Sequence, residues 1–357
     1  MYKIIQPLLF CCDPEKVHEN ILYLGTWLQW VKKPISFFYR YEHPSLETTI
    51  AGISFKNPIG LAAGFDKNGI LVDFLPALGF GFLEIGSITA LPSEGNPKPR
   101  LFRLPKDEAL INRMGLNNIG AENVVERLQG KKHDIPIGIN IAKTNDPIIM
   151  GEKAIDDFCT SYKKLHDIAD YMVLNISCPN THEGKTFEEE ESLEHLLYEM
   201  TRLRRGKPLF LKLSPDLSYD KIDIILEIGI HYFIDGYVIG NTTTRREHLR
   251  TSPENLVTIG RGGLSGKPIS KKSTEIIRYI YKQWQPVIIG VGGIFSGEDA
   301  YEKITAGASL VQIYTGLIYE GPGLIKKIKM GLVRKLEHDG FSSLRDAVGS
   351  RAFDRSV

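Results

Sequence analysis

Two hydrophobic periodicities alternate along most of this chain. Short apolar runs occur at 59–63, 82–87, 137–140, 171–176, 209–213, 236–240, 287–291 and 310–314. They are rich in Ile, Leu and Val, as strands buried on both faces should be. Between them, stretches such as 156–169, 193–205, 221–231 and 271–284 repeat apolar residues at steps of three and four, the helical period. Repeated strand–helix units predict a parallel sheet, and about eight of them favour closure. The expected fold class is α/β, a (β/α)8 TIM barrel over residues 46–335, with an N-terminal helical extension over 1–45.

The extension has its own pattern. Asp13-Pro14-Glu15 reads as a helix cap with proline at the first helical position. Val17, Ile21, Leu24, Leu28 and Val31 then form a stripe flanked by Trp27 and Trp30, with Lys32, Lys33 and Arg40 following. One reading is a helix packed on the core. The other is a helix whose apolar face dips into a bilayer surface. Residues 336–357 are polar and predict a short helix or a frayed tail.

Composition narrows the function classes. The 357 residues include 42% hydrophobic and 24% charged, with a formal net charge of +1. That balance gives no electrostatic reason to expect nucleic acid as a partner. Cys11, Cys12, Cys159 and Cys178 form no CxxC pair. They suggest neither a disulfide framework nor an iron–sulfur site. No metal site is expected. No apolar run approaches the length of a membrane span, and no signal peptide is read.

Barrel chemistry sits at the C-terminal ends of strands. Here those ends carry Ala63-Gly64-Phe65-Asp66-Lys67, Gly86-Ser87, Asn140, Asn175 to Thr181, Lys212, Asn241-Thr242-Thr243, Gly292-Gly293 and Tyr314-Thr315. A single Asn after a strand is usually a turn residue. Many converging on one mouth are not explained that way. Amides, hydroxyls and two lysines with few carboxylates suit a planar, polar, anionic ligand. Gly292-Gly293 and Tyr314-Thr315 fall after strands seven and eight, where barrels often bind phosphate.

These motifs carry a specific resemblance. Residues 57–67, 98–103 and 112–118, the run Asn175-Ile176-Ser177-Cys178-Pro179-Asn180-Thr181, and residues 241–243, 262–266, 291–294 and 307–315 resemble the dihydroorotate dehydrogenase family. Asp13-Pro14-Glu15 with His18 resembles the N-terminal extension of its quinone-using, membrane-associated class.

The resemblance implies FMN held by Ala63, Gly64, Ser87, Asn140, Asn175, Lys212, Gly240, Gly266, Gly293, Tyr314 and Thr315, with Lys212 beside the flavin N1. It implies dihydroorotate held by Lys67, Asn112, Arg113, Met114, Gly115, Leu116, Asn175, Asn180, Asn241 and Thr242. Substrate C5 would lose a proton to Cys178 while hydride leaves C6 for the flavin. Membrane-class relatives place serine at position 178, and cysteine marks the soluble class. Leu116 stands where an aromatic is frequent, and Gly240 where threonine is frequent. A thiol ionises near pH 8.5, far more readily than a hydroxyl.

The extension outweighs the cysteine in assigning the electron acceptor. A membrane quinone is expected, with Arg103 and Tyr314 near its head and His18 at the tunnel entrance. The expected location is peripheral, on the cytoplasmic face of a bacterial inner membrane. Oligomeric state is open, a monomer being one reading. The competing readings are a cytosolic dihydroorotate dehydrogenase using fumarate, an FMN-dependent tRNA dihydrouridine synthase, and a flavin-binding protein with a dead site.

Overall fold

The computed structural model describes residues 2–177 and 186–354. Eight parallel strands close into a barrel. In chain order they are β1 (Ile59–Leu61), β2 (Phe82–Ile88), β3 (Ile137–Ile141), β4 (Tyr171–Asn175), β5 (Leu209–Leu213), β6 (Gly236–Ile239), β7 (Val287–Val291) and β8 (Leu310–Ile313). Each lies within two residues of its predicted ends. Their register is continuous around the ring, from Leu61 beside Leu83 to Ile313 beside Leu61.

The interior is layered. At the bottom, Phe82, Tyr171, Val173, Phe210, Val238, Ile289 and Leu310 fill the barrel. A hairpin of Thr48–Ile50 and Ile53–Phe55 plugs that end, with Phe55 edge-on to Phe82 at 5.4 Å. Glycine makes room for the rings. A Cβ on Gly60 would sit 2.3 Å from the Phe82 ring, and one on Gly138 would sit 2.1 Å from Tyr171. Large and small residues therefore alternate across the layer. Truncating Phe82 to alanine would cost about 3–5 kcal/mol.

Helices surround the barrel and bury a second, larger apolar shell against the strands. Sequence punctuation sets several starts. Asp13 accepts from Lys16 N at the head of helix α2 (Pro14–Trp27), which follows α1 (Tyr2–Cys11) and precedes α3 (Lys32–Tyr39). Ser218 and Ser296 cap the helices Tyr219–His231 and Gly297–Ala306 in the same way.

Two features lay outside the sequence reading. Helix α1 was not anticipated. A three-stranded antiparallel sheet of Leu101–Leu104, Ala109–Asn112 and Gly263–Gly266 stands over the barrel mouth. In the C-terminal zone the expected short helix is present at Leu344–Ala347, the helix Leu324–Asp339 runs through Leu336, and Leu344, Ala347 and Ala352 are fully buried.

Candidate active site

The C-terminal ends of the strands and the mouth sheet enclose a polar cavity. Ala63, Gly64 and Lys67 enter it from the loop after β1, Ser87 from β2, Asn175 from β4 and Lys212 from β5. Gly240, Asn241 and Thr242 follow β6, Gly293 follows β7, and Tyr314 and Thr315 follow β8. The mouth sheet and its flanks add Asn112, Met114, Gly115, Leu116 and Gly266. Residues scattered over 250 positions of sequence thus share one wall.

Two expected residues do not line it. Arg113 turns away, and its guanidinium donates to the carbonyls of Pro99, Ile259 and Arg261. It braces the mouth sheet and is not free to meet a ligand. Asn140 lies one layer deeper, fully buried between Ser87 and Glu84. Cys178, Asn180 and Thr181 lie outside the described residues.

Beneath the cavity runs a chain of hydrogen bonds that sequence reading did not connect. Asn241 Nδ2 donates to Asn175 Oδ1 at 3.3 Å and to Ser177 Oγ at 3.1 Å. Asn175 Nδ2 donates to Ser87 Oγ at 3.0 Å, and Ser87 Oγ donates to Asn140 Oδ1 at 2.5 Å. Asn140 Nδ2 donates to Glu84 Oε1 at 2.8 Å. Lys212 Nζ reaches the same Oε1 at 3.1 Å, and Gln312 Nε2 donates to Glu84 Oε2 at 2.6 Å. The amides of Asn140, Asn175 and Asn241 each donate and accept, so their orientations are fixed by their neighbours.

Lys67 has a different setting. Among the described residues no carboxylate lies within ion-pair distance of its ammonium. Burial, with Arg100 nearby, lowers its pKa to about 8. A partly desolvated cation facing a cavity is a receptor for an anion. Arg100 is itself held: it donates from Nε and Nη2 to Glu15, and from Nη1 to the carbonyls of Glu94 and Asn96. Arg100 therefore pins α2 to the mouth, and it keeps Glu15 ionised below the usual carboxylate range against the burial that opposes it.

A second cavity of about 350 Å³ lies between α1–α3 and the barrel. Leu9, Val17, Ile21, Leu24, Leu28, Ile35, Leu71 and Phe74 make its walls apolar. The stripe on α2 is thus neither packed into a core nor wholly free; it faces this space. Arg103 is its one strong cation, donating to the carbonyl of Cys12 at 2.7 Å with its guanidinium 4.8 Å from the Phe10 ring centre.

His18 and Tyr314 line both cavities. They form the partition with Phe65, whose ring is edge-on to His18 at 4.9 Å and to Tyr314 at 5.7 Å. Burial, then Lys67, lowers the His18 pKa to about 4, and burial raises Tyr314 to about 12. Both partition groups are therefore neutral near pH 7.

Comparison with known proteins fits this geometry. Residues 45–336 match the family model described as dihydroorotate dehydrogenase. The chain belongs to the dihydroorotate dehydrogenase family. It is 43% identical over 355 residues to the dihydroorotate dehydrogenase (quinone) of Gloeobacter violaceus, covering 98% of both chains. It is 42% identical to the protein of that name from a Roseiflexus species, again over 98% of both. The structure of Eimeria tenella dihydroorotate dehydrogenase in complex with ferulenol superposes with a TM-score of 0.83 at 35% identity, covering 96% of each chain.

Leu116 lines the polar cavity with a backbone φ of 58°. Gly240 also lines it, and a Cβ there would meet nothing closer than 3.5 Å. Packing therefore does not demand glycine at that position. Glu84, Gln312, Ser177 and Ser265 were missed. Glu84 was hidden within an apolar run, where only its oddity as a lone acid in a buried strand could have flagged it.

Proposed function

We propose that this chain oxidises (S)-dihydroorotate to orotate in pyrimidine biosynthesis, with FMN in the polar cavity and a membrane quinone as final acceptor. The observation that carries the reading is Lys67. Among the described residues it forms no ion pair, and it shares its cavity with the amides of Asn112, Asn175 and Asn241, which suits a planar ring bearing a carboxylate.

The residues present fit FMN. Gly292 and Gly293 both have positive φ, at 114° and 70°, and a Cβ on Gly293 would fall 2.4 Å from Ser270 Cβ. Both glycines line the polar cavity while their backbone packs closely on the segment from Ile269 to Ser273, and main chain of this kind can offer N–H groups to a phosphate. Ser265 Oγ and Thr315 Oγ1 meet at 2.8 Å on the same side. Gln312 Oε1 is buried with no hydrogen-bond partner among the described residues. Lys212 and the Ser87–Asn175 pair would hold the ring. Bound FMN would supply a two-electron acceptor.

The chain's own residues do the rest. Lys67 would fix the substrate carboxylate, and Asn112, Asn175 and Asn241 would read the ring edge. Cys178, one residue beyond buried Ser177, would take the C5 proton as thiolate. The reaction removes two hydrogens from dihydroorotate, and a quinone accepting them becomes quinol.

The apolar cavity supports the choice of quinone, since it adjoins the polar site: His18, Leu101, Leu110 and Tyr314 line both, and Phe65 packs on His18 and Tyr314. Peripheral membrane contact follows from the same helices. Trp27, Trp30, Phe37 and Phe38, all within the helical extension, are 62–81% exposed, and among the described residues no helix is long and apolar enough to cross a bilayer. Such a face favours an interfacial position. The cytoplasmic face of a bacterial inner membrane is the proposed location.

The purified protein should be yellow. Anaerobic dihydroorotate should bleach it, and a short-chain quinone should restore the colour faster than fumarate does. A protein that refuses added FMN would refute the reading, and faster recovery with fumarate would transfer it to the soluble class.

A further inference from the structure

The floor of the polar cavity holds a buried ion pair that substrate and cofactor recognition leave unexplained. Glu84 is fully buried, on β2 at the centre of the barrel. Below it lies hydrocarbon and ring surface from Phe82, Tyr171 and Val173. Its carboxylate is surrounded by donors: Asn140 and Lys212 on Oε1, Gln312 on Oε2. Removing two charges from water carries a large desolvation penalty, and well-packed apolar residues are often at least as stable. Stability alone gives little reason for an acid here.

The geometry has a consequence for charge. Lys212 faces the cavity with Glu84 behind it at 3.1 Å. Whatever lies on Lys212 meets a neutralised pair and not a bare cation. We infer that Glu84 is a positioning residue that sets the electron affinity of the bound flavin by compensating Lys212. This rests on the FMN reading above. A lone buried ammonium favours added negative charge strongly, because the surrounding dielectric is low. It would hold electrons taken from the substrate and slow their release. With Glu84 in place the same lysine still orients the ring and donates its hydrogen bond. The site can then take two electrons from dihydroorotate and give two to the next acceptor.

Gln312 makes the test clean. Its Oε1 has no partner among the described residues, so rotation of its amide can meet the new NH2 of Glu84→Gln. The variant removes the charge and keeps the shape.

The experiment is redox equilibration of the FMN-loaded enzyme against a reference dye, read by visible absorbance. At a fixed dye potential, Glu84→Gln should raise the reduced-to-oxidised flavin ratio at least tenfold over wild type. Glu84→Asp, which keeps the charge, should return most of the way. A ratio within twofold of wild type in Glu84→Gln overturns the inference. Should Glu84→Gln fail to fold, Gln312→Glu adds a second acid and must lower the ratio at least threefold; no change there overturns it equally. Failure of wild type to bind FMN would instead strike the cofactor reading.

Discussion

The two cavities that share the His18–Phe65–Tyr314 partition are built on opposite principles. The mouth cavity gathers amides, hydroxyls and charged groups among apolar residues, and beneath it hydrogen bonds run without a break from Asn241 to Glu84. The cavity under the helical extension is mainly apolar; Arg103 enters it tied to the carbonyl of Cys12, between α1 and α2. The difference teaches how one chain can serve two substrates of opposite solubility. The polar site is preorganised by a network that costs free energy unless every member is satisfied. The apolar site needs only shape and the exclusion of water. Neutral partition residues let the two lie side by side without a charge leaking into the apolar space.

The sharpest break concerns Lys67. Lys67→Met should lower kcat/KM for dihydroorotate by about 100- to 1000-fold, the scale of losing a desolvated charge pair, while FMN content stays normal; steady-state kinetics and flavin absorbance check both. Next is Gly293→Ala. A Cβ at positive φ against Ser270 should weaken FMN binding by about 30- to 100-fold, from strain of roughly 2–3 kcal/mol, measured by fluorescence titration of the apoprotein.

Proton linkage gives a third, smaller effect. The Lys67 pKa is lowered to about 8, so its charge is present below that pH and is lost as pH rises through it. KM for dihydroorotate should be level near pH 7 and climb up to about tenfold per unit at higher pH. A KM flat to pH 10 would remove Lys67 from the substrate. The Cys178 reading adds a separate limb. Cys178→Ser should shift the acidic limb of flavin reduction to higher pH, and superimposable profiles would dismiss the thiol as base. The smallest effect is expected at Gly240. Gly240→Ala should change kcat/KM less than threefold, because the cavity has room for the methyl.

Much of this was legible in the residues, for identifiable reasons. The strands were readable because burial on both faces leaves short runs dominated by Ile and Leu, such as Ile137–Ile141 and Leu209–Leu213, with the polar Asn140 and Lys212 near their C-terminal ends. The mouth residues were readable because Asn, Lys and Gly at or just beyond the C-terminal ends of such runs have few structural reasons to recur. Glu84 and Gln312 were not, since they sit inside β2 and β8 and their meaning depends on strands far away in sequence. Arg113 was misplaced because a motif fixes neighbours along the chain, not the direction of a side chain. The antiparallel mouth sheet was missed because Leu101–Leu104 and Ala109–Asn112 are too short to show a period. The stripe on α2 was read correctly as apolar, but a stripe does not say whether it meets a core, a membrane or a cavity.

The division of labour between the cavities can be timed directly. Ile21 lines only the apolar one. In Ile21→Asp protein loaded with FMN, stopped-flow absorbance resolves flavin reduction by dihydroorotate from re-oxidation by a quinone. The account predicts reduction within twofold of wild type and re-oxidation slowed by about tenfold or more, the effect of a carboxylate in an apolar site. Equal slowing of both half-reactions, or of neither, would contradict it.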